Sequence, residues 1–346
     1  MNRTRSLATA VALMLTLLSG WQAQAATTPP NVGQCAAGLG IALLEVPKAS
    51  LKDPRARNYV VDSVKPGASF SRKFQVCNGT KSSVNVSLYP DAATITKGVF
   101  SLAPGQGKNE LTNWITVSPS TINVPSGTAA VASMRFSVPI DATAGERYAG
   151  VVADAPTNNG NGVAVRGRVG IRVYLDVAKG GAPKSDFTVD SLQAVRGKDG
   201  QPGVLAQVHN IGARALDMRG NLNLSDGPGG LSAGPFDARL GTTLKPGDTA
   251  PVLVPLDRAI RGGPWHAVID MKSGVLERKA EAHLTFPDAP AAVSTPVKAK
   301  PVPLYKEKSV LVPIAVSFIG LLFLILIILA LREYLRRQRQ KQTPAT

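Results

Sequence analysis

The chain has 346 residues, 39 Lys and Arg against 23 Asp and Glu, a formal net charge of +16 and two cysteines. That length calls for more than one domain. The excess of base reads either as a solvated surface or as long-range attraction to an anionic wall polymer. The absence of any recognition motif in an exported chain argues against nucleic acid.

In chain order, Arg3 and Arg5 precede an apolar run from Leu7 to Leu18 and the small-x-small site Ala23-Gln24-Ala25. This predicts a secretory signal peptide over residues 1–25, too short to span a bilayer. Cys35 and Cys77 then lie in the exported part, where they either bridge or stay free. A bridge would close a loop of about forty residues and add roughly 4 kcal/mol on the chain-entropy model. Phe70, Phe74 and Val76 form an apolar face, which leaves Cys77 with Ser71, Lys73 and Gln75 and makes the disulfide candidate a peripheral staple.

A first domain is predicted over residues 36–178. Short alternating or β-branched runs recur at 58–64, 70–77, 83–89, 114–117, 129–138, 148–154 and 163–177, parted by turn residues. Lys65-Pro66-Gly67-Ala68 predicts a type II turn, with Pro where φ is fixed and Gly where φ is positive. Residues 90–113 form a longer excursion, with a strand or hairpin over 92–100 and a loop over 104–108, either a solvated connector or a contact surface. Trp114 is a core aromatic or a sugar-stacking platform. In the last run Arg166, Arg168, Arg172 and Tyr174 share one face, and Val163, Val165, Val169, Ile171 and Val173 the other. Three guanidinium forks on one sheet surface suit carboxylates or phosphates, or else form a solvated face that discourages edge pairing.

Residues 178–184 read as a short hinge, and residues 185–287 repeat the same grammar. Val204, Ala206 and Val208 alternate with Leu205, Gln207 and His209, and Ala280, Ala282, Leu284 and Phe286 with Lys279, Glu281, His283 and Thr285. Lys245-Pro246-Gly247-Asp248 repeats the earlier turn, and Val208-His209-Asn210-Ile211-Gly212 echoes Val76-Cys77-Asn78-Gly79. The fold class expected is all-β, two tandem immunoglobulin-like β-sandwich domains. Prolines at 287, 290, 296, 301 and 303 predict a Pro-rich stalk over residues 288–309. Residues 310–331 carry no charge and predict a transmembrane helix of roughly 33 Å. The basic residues of 332–346 mark a cytoplasmic tail, which makes this a single-pass protein of the cell membrane with its N terminus outside.

Asp53-Pro54-Arg55-Ala56-Arg57, the Lys-Pro-Gly turn, Val76-Cys77-Asn78, Leu88-Tyr89-Pro90-Asp91-Ala92-Ala93, Trp114-Ile115 and Gly145-Glu146-Arg147-Tyr148-Ala149-Gly150-Val151-Val152 together resemble the first domain of the WxL-interacting proteins. The resemblance covers about a third of the chain in motif. It implies a bacterial cell-surface tether that binds peptidoglycan or an anionic wall polymer, or a secreted WxL-type protein partner. The alternative is a structural or assembly protein whose edge strand pairs with another secreted chain. A wall-modifying enzyme, which would need a cleft with convergent carboxylates, is the third reading. Hydrolase, P-loop, zinc and dinucleotide motifs are missing, and His209, His266 and His283 lie on separate strands. No enzyme activity, cofactor or metal is expected.

Overall fold

The computed structural model describes residues 38–158, 164–303, 327–329 and 332. The predicted signal peptide, Cys35, almost all of the predicted transmembrane helix and the tail after 332 lie outside them. Among the described residues no helix is long and apolar enough to cross a membrane.

The first half of the chain forms β1 (Leu39–Leu43), β2 (Tyr59–Val64), β3 (Ser69–Asn78), β4 (Val84–Thr96), β5 (Val99–Leu102), α1 (Glu110–Asn113), β6 (Ile115–Ser118), β7 (Thr121–Val124), β8 (Ala129–Ser137), β9 (Gly145–Asn158) and β10 (Ala164–Val177). One sheet runs β1-β3-β8-β6; the other runs β2-β10-β9-β4-β5, with β7 also on β4. The faces follow the alternation in the sequence. Phe74 and Val76 of β3, Met134 and Phe136 of β8, and Ile171 and Val173 of β10 are fully buried between the sheets, while Val131 on the opposite face of β8 is 54% exposed. Burying each such side chain contributes about 1.5–3 kcal/mol. Cys77 is disulfide-bonded.

The second half forms β11 (Phe187–Arg196), β12 (Pro202–Asn210), β13 (Leu216–Asp217), β14 (Arg219–Ser225), β15 (Ala233–Asp237), β16 (Thr243–Leu244), β17 (Thr249–Pro255), β18 (Trp265–Ser273), β19 (Leu276–Leu284), β20 (Val297–Lys298) and β21 (Lys300–Val302). Sheets β17-β12-β11-β20 and β15-β14-β18-β19-β21, with the short pair β13-β16, enclose a separate core that includes Phe187, Leu192, Leu222, Trp265 and Ile269. The expected stalk, described as far as residue 303, lies on this second domain. β20 pairs with β11, β21 pairs with β19, and Ala299 is buried. Pro301 is accommodated because β21 is the edge of its sheet, where a missing N–H costs no ladder bond.

Two sequence echoes have a physical basis. Gly67 and Gly247 have φ of 79° and 78°, and their turns close with Ala68 N–H donating to Lys65 O and Asp248 N–H to Lys245 O. Asn78 and Asn210 are fully buried at matching strand ends. Asn78 Nδ2 donates to Ser82 O and Val124 O, and Asn210 Nδ2 to Arg214 O and Leu244 O. Each asparagine ties a loop to a neighbouring strand by satisfying carbonyls that would otherwise be buried without partners.

The excursion after Tyr89 also takes a definite form. β4 continues to Thr96 and turns at Lys97 and Gly98, with φ of 50° and 77°, the two positive values of a type I′ hairpin. The chain then returns as β5 and folds over its own sheet, Gly107 N–H donating to Asp91 Oδ1 and Ala92 N–H to Gly107 O. Helix α1 starts in a capping box between Asn109 and Thr112.

Candidate site: an open strand edge and the seam behind it

β9 and β10 form a long antiparallel hairpin, register Arg172↔Gly150 through Ala164↔Asn158. On its far side β10 pairs in parallel with β2, but only over residues 172–177. Arg172 N–H donates to Asn58 O, so even-numbered residues of β10 direct their backbone groups away from β9. By the same alternation Ala164, Arg166, Arg168 and Gly170 present N–H and C=O groups to an edge on which no other described strand lies. Several other edges are blunted. In the second domain the edge strands β15, β17 and β21 carry Pro235, Pro251, Pro255 and Pro301, and in the first β6 offers four residues before Pro119.

The arginine row lies beside this edge, and each member meets a carboxylate of its own. Arg166 Nε donates to Asp154 Oδ1 at 2.5 Å, and Tyr89 Oη donates to Asp154 Oδ2 at 2.8 Å. Arg168 pairs with the fully buried Asp91 and also donates to Ala103 O and Gly105 O. Arg172 reaches across to the second domain, where Nη1 donates to Asp217 Oδ1 at 2.7 Å. The structure therefore divides the four residues: Arg166 and Arg168 flank the edge, while Arg172 and Tyr174 belong to the seam between domains. Trp114 is apart from both, buried under the Arg147 guanidinium, 4.8 Å from its ring centroid.

The seam holds residues that alternation alone does not reveal. Tyr174, 1% exposed, packs with Tyr59, Phe100 and Tyr148, ring centroids 5.4–5.7 Å away. Asp217 accepts from Arg172, from Tyr174 Oη at 3.1 Å and from Thr243 Oγ1 at 2.8 Å, and Arg55 Nη1 stands 3.6 Å from its other oxygen. Reciprocally, Glu146 of the first domain accepts from Ala215 N–H, Arg214 Nε and Tyr148 Oη. Burial pushes the Glu146 carboxyl up, against the pull of Ala215 N–H and Arg214. Burial also raises the phenols of Tyr148 and Tyr174, so both remain protonated donors. The hairpin tip completes the seam, with Thr243 N–H donating to Gly98 O at 2.7 Å.

Asp53 and Asp154 titrate in the other direction. Burial opposes their ionisation, but hydrogen bonds from Arg55 to Asp53, and from Arg166 and Tyr89 to Asp154, outweigh it and hold both below the usual 3.8. A lowered folded-state pKa stabilises above the unfolded value and is lost as pH falls through the folded one. Thermal unfolding should therefore be insensitive to these two groups at pH 5–7 and drop progressively below about pH 4. Arg166→Gln should restore Asp154 toward its ordinary value and flatten part of that acid limb. An unchanged limb would count against the pairing. Among the described residues no group of three or more His, Cys, Asp or Glu could hold a metal ion.

No family model and no curated protein matches the sequence. Among solved structures, matches include the CupB2 chaperone of Pseudomonas aeruginosa (12% identity, 66% of this chain, 97% of that chain, TM-score 0.35). Another is the CsuC-CsuE chaperone–tip adhesion subunit complex from Csu pili of Acinetobacter baumannii (12%, 63%, 94%, 0.35), and a third is the DraB chaperone of E. coli (10%, 76%, 96%, 0.34). These findings correct the resemblance drawn from the motifs. No family model matches, that of the WxL-interacting proteins included, and the motifs do not single that family out, because proline-glycine turns and a Gly-x-x-Tyr strand entry occur wherever short strands are joined tightly. The membrane-anchored cell-surface role, peptidoglycan binding and the single-pass location drew on that resemblance and on a span that no described helix provides, and they are withdrawn with it. These neighbours are described as chaperones.

Proposed function

We propose that the protein is a binding protein with two immunoglobulin-like domains that takes an extended segment of another protein as an added strand along residues 164–171 of β10. The observation that carries this reading is the run of backbone groups at Ala164, Arg166, Arg168 and Gly170, unpaired on the far side of β10 and free of proline. Each ladder bond formed there contributes about 0.5–1.5 kcal/mol net, so four or more add several kcal/mol before any side chain is counted. Arg166 and Arg168 do not repel such a strand, because Asp154 and Asp91 neutralise them on their own sheet. Val169, packed on the core beneath, and the small Gly170 leave the approach uncluttered.

Substitution at Gly170 tests this without disturbing the arginines. Its N–H points to the open edge, so Gly170→Pro removes a donor that β9 does not use, and Gly170→Ala, at an ordinary φ, retains it. Partner capture should survive Gly170→Ala and fall by about tenfold or more in Gly170→Pro. The amides of Arg166, Arg168 and Gly170 should gain hydrogen-exchange protection in the complex. Capture by Gly170→Pro at the level of Gly170→Ala would refute strand addition.

A further inference from the structure

A second surface lies where the second domain meets the β4–β5 hairpin tip, and it shares no lining residue with the open edge. Two clefts of about 400 Å³ each meet at Leu240, which forms a wall of both. One runs between the β4–β5 hairpin tip and β17, the other along β14 and β18. Leu240 is 76% exposed and Val99 52%, so the junction offers two apolar side chains to solvent. Around them stand Lys97, Arg219, Arg239 and Lys272, with Asp237 as the single lining carboxylate among the described residues.

Two of these cations are not spent on ion pairs within the described residues. Lys272 is held by Asp270 and Glu277, but Lys97 and Arg239 are exposed and make no ion pair with another described residue. Arg219 donates from Nη2 to Gly274 O, while its Nε is buried without a hydrogen-bond partner. Such a group loses hydration and gains nothing in return until a ligand approaches. Strand addition is barred here, since Arg239 N–H already occupies Leu253 O of β17 and Pro251 interrupts the edge. Contact must come from side chains.

We propose that this groove docks an acidic, amphipathic segment of a protein partner, its carboxylates meeting Lys97, Arg219 and Arg239 and its apolar residues covering Leu240 and Val99. A polyanion without apolar groups would leave the two exposed side chains uncovered, so the chemistry favours peptide. The site stands independently of strand addition at β10.

The test is fluorescence anisotropy of the full chain with a labelled peptide of about twelve alternating Glu and Leu residues, against oligoglutamate and a Lys-Leu peptide of equal length. The Glu-Leu peptide should bind, lose about tenfold in affinity in Lys97→Gln/Arg239→Gln and about fivefold in Leu240→Ser, and the Lys-Leu peptide should not bind. Because the substituted side chains are exposed, unchanged thermal unfolding should confirm that the fold is intact. Gly170→Pro should leave this binding untouched. Three results overturn the proposal: no binding, equal binding of oligoglutamate with no effect of Leu240→Ser, or loss of binding in Gly170→Pro. The last would place the peptide on the β10 edge instead, and strand addition would survive.

Discussion

Asp217→Ala is expected to lower stability by about 3–5 kcal/mol and to split a single calorimetric unfolding transition into two. Asp217 is only 11% exposed at its side chain and is the counter-charge for two arginines of the other domain. Arg172 lies against Phe100 and Tyr59, 4.6 and 5.3 Å from their ring centroids, and Arg55 stands over Tyr59 at 5.6 Å. Deleting the carboxylate leaves the Arg172 guanidinium in an aromatic setting without an anion, while Arg55 keeps Asp53, and the uncompensated burial of Arg172 sets the size of the effect. Tyr174 Oη and Thr243 Oγ1 lose an acceptor as well. The double variant Asp217→Leu/Arg172→Met should recover a substantial part of the loss, because it removes both charges of the closest pair. A single, unshifted transition in Asp217→Ala would mean that the seam does not couple the domains.

Gly98→Val is expected to cost about 2–4 kcal/mol, and to do so at the same seam. At φ of 77° the residue occupies a conformation that a β-branched side chain strongly resists. A Cβ there would also stand 3.2 Å from Ala250 Cβ and 3.7 Å from Thr242 Cγ2, so the hairpin tip would have to move off the second domain. Such a shift breaks the bond from Thr243 N–H to Gly98 O and the bridge between Val99 and Thr242. Hydrogen exchange at Thr243 should therefore accelerate well beyond any change in the first-domain core. Lys97→Gly, which relieves positive φ at the neighbouring turn position, should be close to neutral. Equal protection of Thr243 in Gly98→Val and wild type would refute the contact.

The alternation of Ala132, Met134 and Phe136 with Val131, Ser133 and Arg135 was enough to assign β8 its faces, and the same holds for β3, β12 and β19. A strand's side-chain period is strictly two, so a half-buried strand writes its burial into adjacent residues. Both Lys-Pro-Gly turns were equally legible, because positive φ selects glycine locally. The arginine row was visible on one face of β10, yet the sequence held no sign that Arg172 and Tyr174 would be covered by another domain while Arg166 stays 70% exposed at its side chain.

Asp217 alternates with Leu216 and Met218 like any outward polar residue, and Glu146 sits in a run that looked like a family signature. Their roles depend on partners 45 and 68 residues distant in the chain. Likewise the prolines after residue 287 suggested a stalk, whereas edge pairing with β11 and β19 placed 297–302 on the second domain. Strand faces and turns thus follow from neighbouring residues alone, because sterics and burial act over two to four positions. The open half of β10, the interlocked carboxylates and the basic groove required the full fold, because an edge is defined by the strand that stops short of it, and a buried charge by what another domain brings against it.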